Sequence, residues 1–436
     1  MSERAPIPRP VPQSEMPVMA IPPEYQAKPG PVEVVTAQPG EQALVAVVAK
    51  RTYRWAHNCE AVAAEVQRPL YKGAEPHEPL EDVPLGDEPP MTSLRRVPEV
   101  FARRPGTDVI VHGRAVPTPG AVSMSVSVRV GTKLHAATVT GDRLALFEPG
   151  GIRFTDPAEL APLPLRHELA FGGLDRAAGQ RFLQGVQDEV GLMAFRRTAT
   201  YLRKKFIKAP PFSYARNMYG RGYVTDPSQP WQGGPVALPN IERPGDELTP
   251  ERLGGNPAMA WSRLPIPALF GFSDANSFPR SAMSGLPPAF DVHPDEMPEV
   301  RAGLLVKGYC PGSWATVKPE DVPKMFNPDM ARTAPLGLRF DYLRPGEVIF
   351  LRGMGGLERE LAVLLPREAP VMSIPGAGVG GRDLTMGELE LQQVLIDVDA
   401  GELEVVWSGV APIAMRQSAG QALAWRDVAR VDWRPL

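Results

Sequence analysis

From Val122 to Val130 apolar and polar residues alternate without a break. Val122, Met124, Val126, Val128 and Val130 form one row, and Ser123, Ser125, Ser127 and Arg129 form the other. A period of two puts one row in a core and the other in water, which predicts a half-buried strand. Gly131-Thr132 offers a turn, residues 134–140 return, and Gly141-Asp142-Arg143 turns again. Connections this short cannot carry a parallel crossover, so the segment predicts an antiparallel meander.

Other stretches read as strands for a different reason. Residues 43–50 (ALVAVVAK) form a short apolar run rich in β-branched residues, the pattern of a strand covered on both faces, continuing through residues 51–55. Residues 109–111, 347–351 and 361–365 add three more. Residues 394–398 and 403–407 flank Asp399-Ala400-Gly401, a hairpin signal in which Gly401 can take the left-handed turn position. With strands near both ends and an irregular middle, one β-rich fold whose two ends meet is expected.

The pattern changes between residues 182 and 206. Phe182, Val186, Val190, Met193 and Ala194 recur at three-to-four spacing and predict a helix, weakened at Gly185 and Gly191 by ~1 kcal/mol each. Its end is basic, with Arg196, Arg197, Arg203, Lys204, Lys205 and Lys208. Cations suit a helix C-terminus; the same cluster is a candidate contact patch for an acidic partner. Residues 227–346 lack periodicity and are dense in Pro and Gly, which implies ordered irregular structure or a functional surface. The tail is weakly periodic (Leu423, Trp425, Val428, Val431) and reads as one short helix.

The organisation that follows is a Pro-rich flexible arm over residues 1–25, a β-rich domain over 26–410 and a tail over 411–436. The domain divides into β-rich parts at 40–156 and 347–410 around signature loops and a basic helical insert at 157–346. The fold class expected is mainly β, or β-rich α+β, with antiparallel strands at both ends of a long ordered loop region.

Composition narrows the function. Fifty-one prolines in 436 residues are about twice the ~5% average, which favours short strands and rigid loops over long helices. A net charge of −3 argues against nucleic-acid binding. No apolar run approaches the ~18 residues that a membrane helix needs, and the N-terminus has no apolar export segment, so a cytoplasmic protein without membrane insertion is expected. Cys59 and Cys310 alone build no disulfide framework.

Candidate chemistry concentrates at Arg166-His167-Glu168-Leu169-Ala170-Phe171-Gly172-Gly173-Leu174-Asp175. A His-Glu pair suggests a zinc-protease helix, but that motif needs a second histidine at position 171, which is Phe. His167, Glu168 and Asp175 could serve a hydrolase as acid and base, although no nucleophile motif accompanies them. The plainer reading is that they pair with Arg166 and loop amides to hold a turn. The glycine-rich stretch 374–381 lacks the flanking strand and helix of a phosphate-binding loop and reads as a flexible connection. The six histidines (57, 77, 112, 135, 167, 293) show no ligand spacing, and Asp397 and Asp399 read as solvated. No catalytic residue, metal or cofactor is expected.

Ordered along the chain are residues 49–53 (AKRTY), 65–70 (EVQRPL), 104–115 (RPGTDVIVHGRA), 141–143 (GDR) and 168–175 (ELAFGGLD). Then come 220–223 (GRGY), 238–242 (LPNIE), 343–347 (LRPGE) and 405–407 (VVW). This series resembles the bacterial family known as domain of unknown function 2169, whose members accompany type VI secretion systems. Met218 departs from the pattern, standing where the family has proline. The resemblance implies a non-enzymatic adaptor or chaperone that binds a secreted effector toxin and helps load it onto the spike-tip protein. The family-signature residues that match, and so become candidates for partner binding, are Arg166, Glu168, Phe171, Gly172, Gly173 and Asp175, with Gly220, Arg221, Gly222, Leu238, Pro239, Asn240 and Glu242. A hydrolase or a structural spike-associated component are the alternatives.

Overall fold

The computed structural model describes residues 32–37, 43–80, 92–100, 104–175, 213–224 except 215, 235–254, 264–274, 331–376 except 357–359, 378, 382–413 except 388, and 430–435. The basic segment with Arg196, Arg197, Arg203, Lys204 and Lys205 lies outside the described residues, as does the N-terminal arm.

The two ends of the chain meet at the centre of the largest sheet. Ala43–Arg54 pairs antiparallel with Glu402–Ile413 along its whole length, from Ala43↔Ile413 to Arg54↔Glu402. The sheet order is Val32–Ala37, Ala43–Arg54, Glu402–Ile413, Glu390–Asp397, Thr107–His112 and Arg339–Phe340, with Val62–Ala63 beside the second strand. The predicted hairpin is there, and Gly401 sits at φ +62°. In this sheet one pairing departs from the antiparallel expectation. Thr107–His112 runs parallel to Glu390–Asp397, which the long chain between them permits.

A second sheet is ordered Ile241–Glu242, Lys133–Thr140, Ser123–Val130, Val348–Arg352 and Leu361–Leu364, all antiparallel. Val126, Val128 and Val130 are buried as their alternation predicts. Val122 is not: it precedes the first ladder pair and is 45% exposed. A single core cluster joins the two sheets through residues such as Val109, Val128, Ile349, Leu395 and Trp407. The described residues are thus mainly β, with one short helix, Pro250–Gly254.

One expectation needs correcting. The tail is not helical where it is described: Arg430–Pro435 is a strand paired with Glu368–Ile374. Val431 and Trp433 point inward at a spacing of two, and Trp433 stacks edge-on against Trp407 at 5.1 Å. The other residues of the weak helical pattern lie outside the described set. The stretch after Ile374 is a connection, as expected, where it is described. It joins Glu368–Ile374 to Leu384–Met386, with the Gly378 amide donating to the Arg382 carbonyl at 2.7 Å.

The large sheet carries apolar residues on one face and buried charge on the other. Val47 and Ala49 enter the main core, while Val48 packs with Leu70 and Val406 on the opposite side. Lys50 lies on that second side, fully buried, with Nζ 2.8 Å from Glu99 and 2.6 Å from Glu404. Arg96 grips Glu404 through two bonds of 2.5 and 2.7 Å. Burial pushes the Glu404 carboxyl up, but Lys50 and Arg96 more than offset it and hold it below the usual range.

Candidate functional site

The signature loops assemble into one internal knot. Arg166 is extended, and His167–Leu169 then makes a single 3-10 turn whose Ala170 amide donates to the His167 carbonyl. The next two residues, Phe171–Gly172, run parallel to Arg221–Gly222. Asn217 lies between the two segments: its Nδ2 donates to the carbonyls of His167 at 2.8 Å and Phe171 at 3.1 Å. Its own carbonyl accepts from the Gly173 amide at 2.8 Å.

Glycine is required where these backbones touch. A Cβ on Gly172 (φ +144°) would stand 2.1 Å from the Asn217 carbonyl oxygen, and one on Gly173 (φ +96°) 2.1 Å from that of Gly220. No side chain fits such a gap, and both φ values disfavour any residue with a Cβ.

The third signature block closes the knot onto the meander. The Asn240 amide donates to Leu169, and its Nδ2 donates to Thr140 at 3.0 Å and to Asp142 at 2.9 Å. Arg143 bonds Glu242 and the Pro239 carbonyl, and Glu242 in turn accepts from the Leu248 amide at 2.8 Å. Phe171 and Leu238 belong to a satellite core with Tyr214, Leu253 and Leu264.

Of the thirteen signature residues, Arg166, Gly220 and Arg221 are partly exposed and the other ten are buried. The knot therefore offers a partner little of its own signature. Glu168 is 6% exposed, and both carboxylate oxygens are occupied. They accept from the Ser93 amide at 2.9 Å, the Ser93 hydroxyl at 2.8 Å and Arg166 at 2.5 Å. Burial raises its pKa, but Arg166 and the Ser93 amide outweigh that, leaving the carboxyl below its ordinary range. Asp175 sits apart from this group, beside Tyr223, whose phenol burial and the Asp175 charge push up to about 12. The pairing of Glu168 with Arg166 and a loop amide is the turn-holding arrangement.

One gathering escapes the sequence. His77, His112 and His167, scattered along the chain, line a single cleft of about 440 Å³ with Arg95, Arg166, Asp397 and Asp399. The His77 amide is held by the Ser93 carbonyl at 2.8 Å, across the pairing of Glu75–Pro76 with Leu94–Arg96. His112 ends the Thr107–His112 strand in register with Asp397 on the parallel neighbour. His167 opens the signature turn. The His77 and His112 rings meet edge-on at 5.3 Å.

Burial, the largest cause in each case, lowers the pKa of all three histidines. That of His77 falls to about 4, with Arg166 adding to the effect. The cleft is therefore lined by neutral imidazoles at neutral pH. Among the described residues no three His, Cys, Asp or Glu side chains stand close enough to hold a metal ion. No local spacing signals this cleft; only the long-range pairing of strands brings the histidines together. Among the described residues, too, no helix is long and apolar enough to cross a membrane.

These features define a β-rich protein locked by a knot of buried glycine and amide contacts. The chain belongs to the family described as uncharacterized protein conserved in bacteria, domain of unknown function 2169, whose model matches residues 40–408. Comparison with curated proteins found no match, and comparison with solved structures found none.

Proposed function

We propose that this chain is a non-enzymatic cytosolic adaptor that holds a secreted effector toxin and helps load it onto the spike tip of a type VI secretion apparatus. The observation that carries the reading is the ordered series of family motifs, which falls inside the matched stretch 40–408. The burial of the signature residues supports a scaffold role for them: they stiffen the loops rather than meet a partner. Loops already ordered before binding lose little conformational entropy when a partner arrives, which favours a broad protein-binding surface.

The partners in this reading are the effector and the spike-tip protein, with no nucleic acid and no cofactor. Co-expression with a candidate effector toxin from the same bacterium tests it. More soluble effector and restored delivery are expected. Unchanged solubility and delivery when the chain is deleted would sink the reading.

A further inference from the structure

The histidine cleft has walls with hydrogen-bonding capacity left over. Nε of Arg166 and Nε2 of His112 are both shielded from solvent and have no hydrogen-bond partner among the described residues. Nε2 of His167 also lacks one of good geometry, although the Gly271 backbone lies beside it. Buried polar atoms are rarely left unmatched, because each forfeits the bonds it made in water. Two such atoms around one cleft, with His167 Nε2 beside them held only loosely by Gly271, point to a ligand that completes them.

The donors define its chemistry. Arg166 Nε can only donate, and Arg95 is a half-exposed guanidinium whose ion pair among the described residues, with Glu75, spans 4.0 Å. A neutral imidazole can present N–H at Nε2. Arg166 already shares its charge with Glu168, so its open Nε and the imidazoles call for an acceptor group whose charge is met chiefly by Arg95. Asp397 and Asp399 stand in the same lining, so a doubly charged group meets more repulsion than a singly charged one.

We propose that the cleft formed by His112, Arg166, His167 and Arg95 is a binding site for a carboxylate group. Arg166 and Arg95 supply the charge-assisted bonds, and the two imidazoles donate from the floor. A volume of about 440 Å³ accommodates either a small organic acid or a single acidic side chain of a polypeptide. The site does not depend on the adaptor reading.

Ring resonances of the full chain carrying isotope-labelled histidine provide the test. The probes are sodium acetate, a capped tripeptide with one glutamate, inorganic phosphate and zinc ion. Saturable shifts of the His112 and His167 signals with acetate or the tripeptide are expected, and the more effective of the two identifies the source of the carboxylate. Arg95→Ala, at a half-exposed position, should weaken binding about tenfold or more, as expected for a lost charge-assisted bond. Asp399→Asn should tighten it. The proposal fails if neither carboxylate saturates, if phosphate or zinc binds more tightly at the same signals, or if Arg95→Ala leaves the affinity unchanged.

Discussion

Two of the protein's buried polar clusters are treated in opposite ways. Behind the large sheet, Lys50, Arg96, Glu99 and Glu404 meet within 2.5–2.9 Å, and each charge faces an opposite one. In the cleft, Arg166 Nε and His112 Nε2 have no hydrogen-bond partner among the described residues. A buried polar group without a partner is costly, so a chain that satisfies one cluster and leaves the other open marks different uses. The first cluster is architecture. The second is available to a ligand.

The widest separation between them should appear on removing one partner from the closed network. Glu404→Ala leaves Lys50 and Arg96 sharing a buried site with Glu99 alone. Losing one member of such a network costs about 3–5 kcal/mol, which urea unfolding would register as a large fall in midpoint. If the midpoint moves by less than a quarter of that, the network does not hold the sheet.

The signature knot comes next. Gly172→Ala forces a Cβ to within 2.1 Å of a carbonyl oxygen at a positive φ, and a loss on the order of 2–4 kcal/mol is expected. Thermal unfolding of the variant measures it. A variant as stable as the parent would mean that the Asn217 contact yields freely.

Acid should loosen the protein through its histidines. Burial holds His77 and His135 at about 4 and lowers His112 and His167 as well. An unfolded histidine titrates near 6.5. Between those values the unfolded chain binds protons that the native chain refuses, so stability falls as pH drops from about 6.5 to 4. For the partly buried His135 the loss is on the order of 1–3 kcal/mol once solvent screening is allowed for. Its Nε2 donates to the Leu269 carbonyl at 2.8 Å, a bond that the amide of Gln can imitate, so His135→Gln should flatten the decline in urea midpoint between pH 7 and 4.5. An equally steep decline would assign the acid sensitivity elsewhere.

What could be read from the chain divides along the same line. The alternation at Val126, Val128 and Val130 and the apolar run through Val47 and Val48 are local, and local periodicity predicted those strands. Lys50 lies inside a run read as one strand through residue 55, and nothing local marks it as buried. Its burial depends on Glu99 and Glu404, which no neighbouring residue announces. The knot was legible as a series of motifs, and its role as a lock became visible only with Asn217 placed between Phe171 and Gly173. At Arg430–Pro435 the strand is not legible because Val431 and Trp433 are too few to establish a period of two. The cleft left no local trace, since its histidines come from a short hairpin, a strand end and a 3-10 turn.

The smallest expected change in stability sharpens the contrast most. Arg95 is half exposed and its contact with Glu75 spans 4.0 Å, a distance and setting in which an ion pair contributes about 0–1 kcal/mol. Arg95→Ala should therefore move the unfolding midpoint by no more than about 0.5 kcal/mol, as surface substitutions usually do. The same substitution should sharply reduce carboxylate binding in the cleft. A residue that matters to folding would show the reverse order of effects, as Glu404 is expected to do. If Arg95→Ala destabilised the fold as strongly as Glu404→Ala, the cleft would belong to the architecture, and its open nitrogens would need another account.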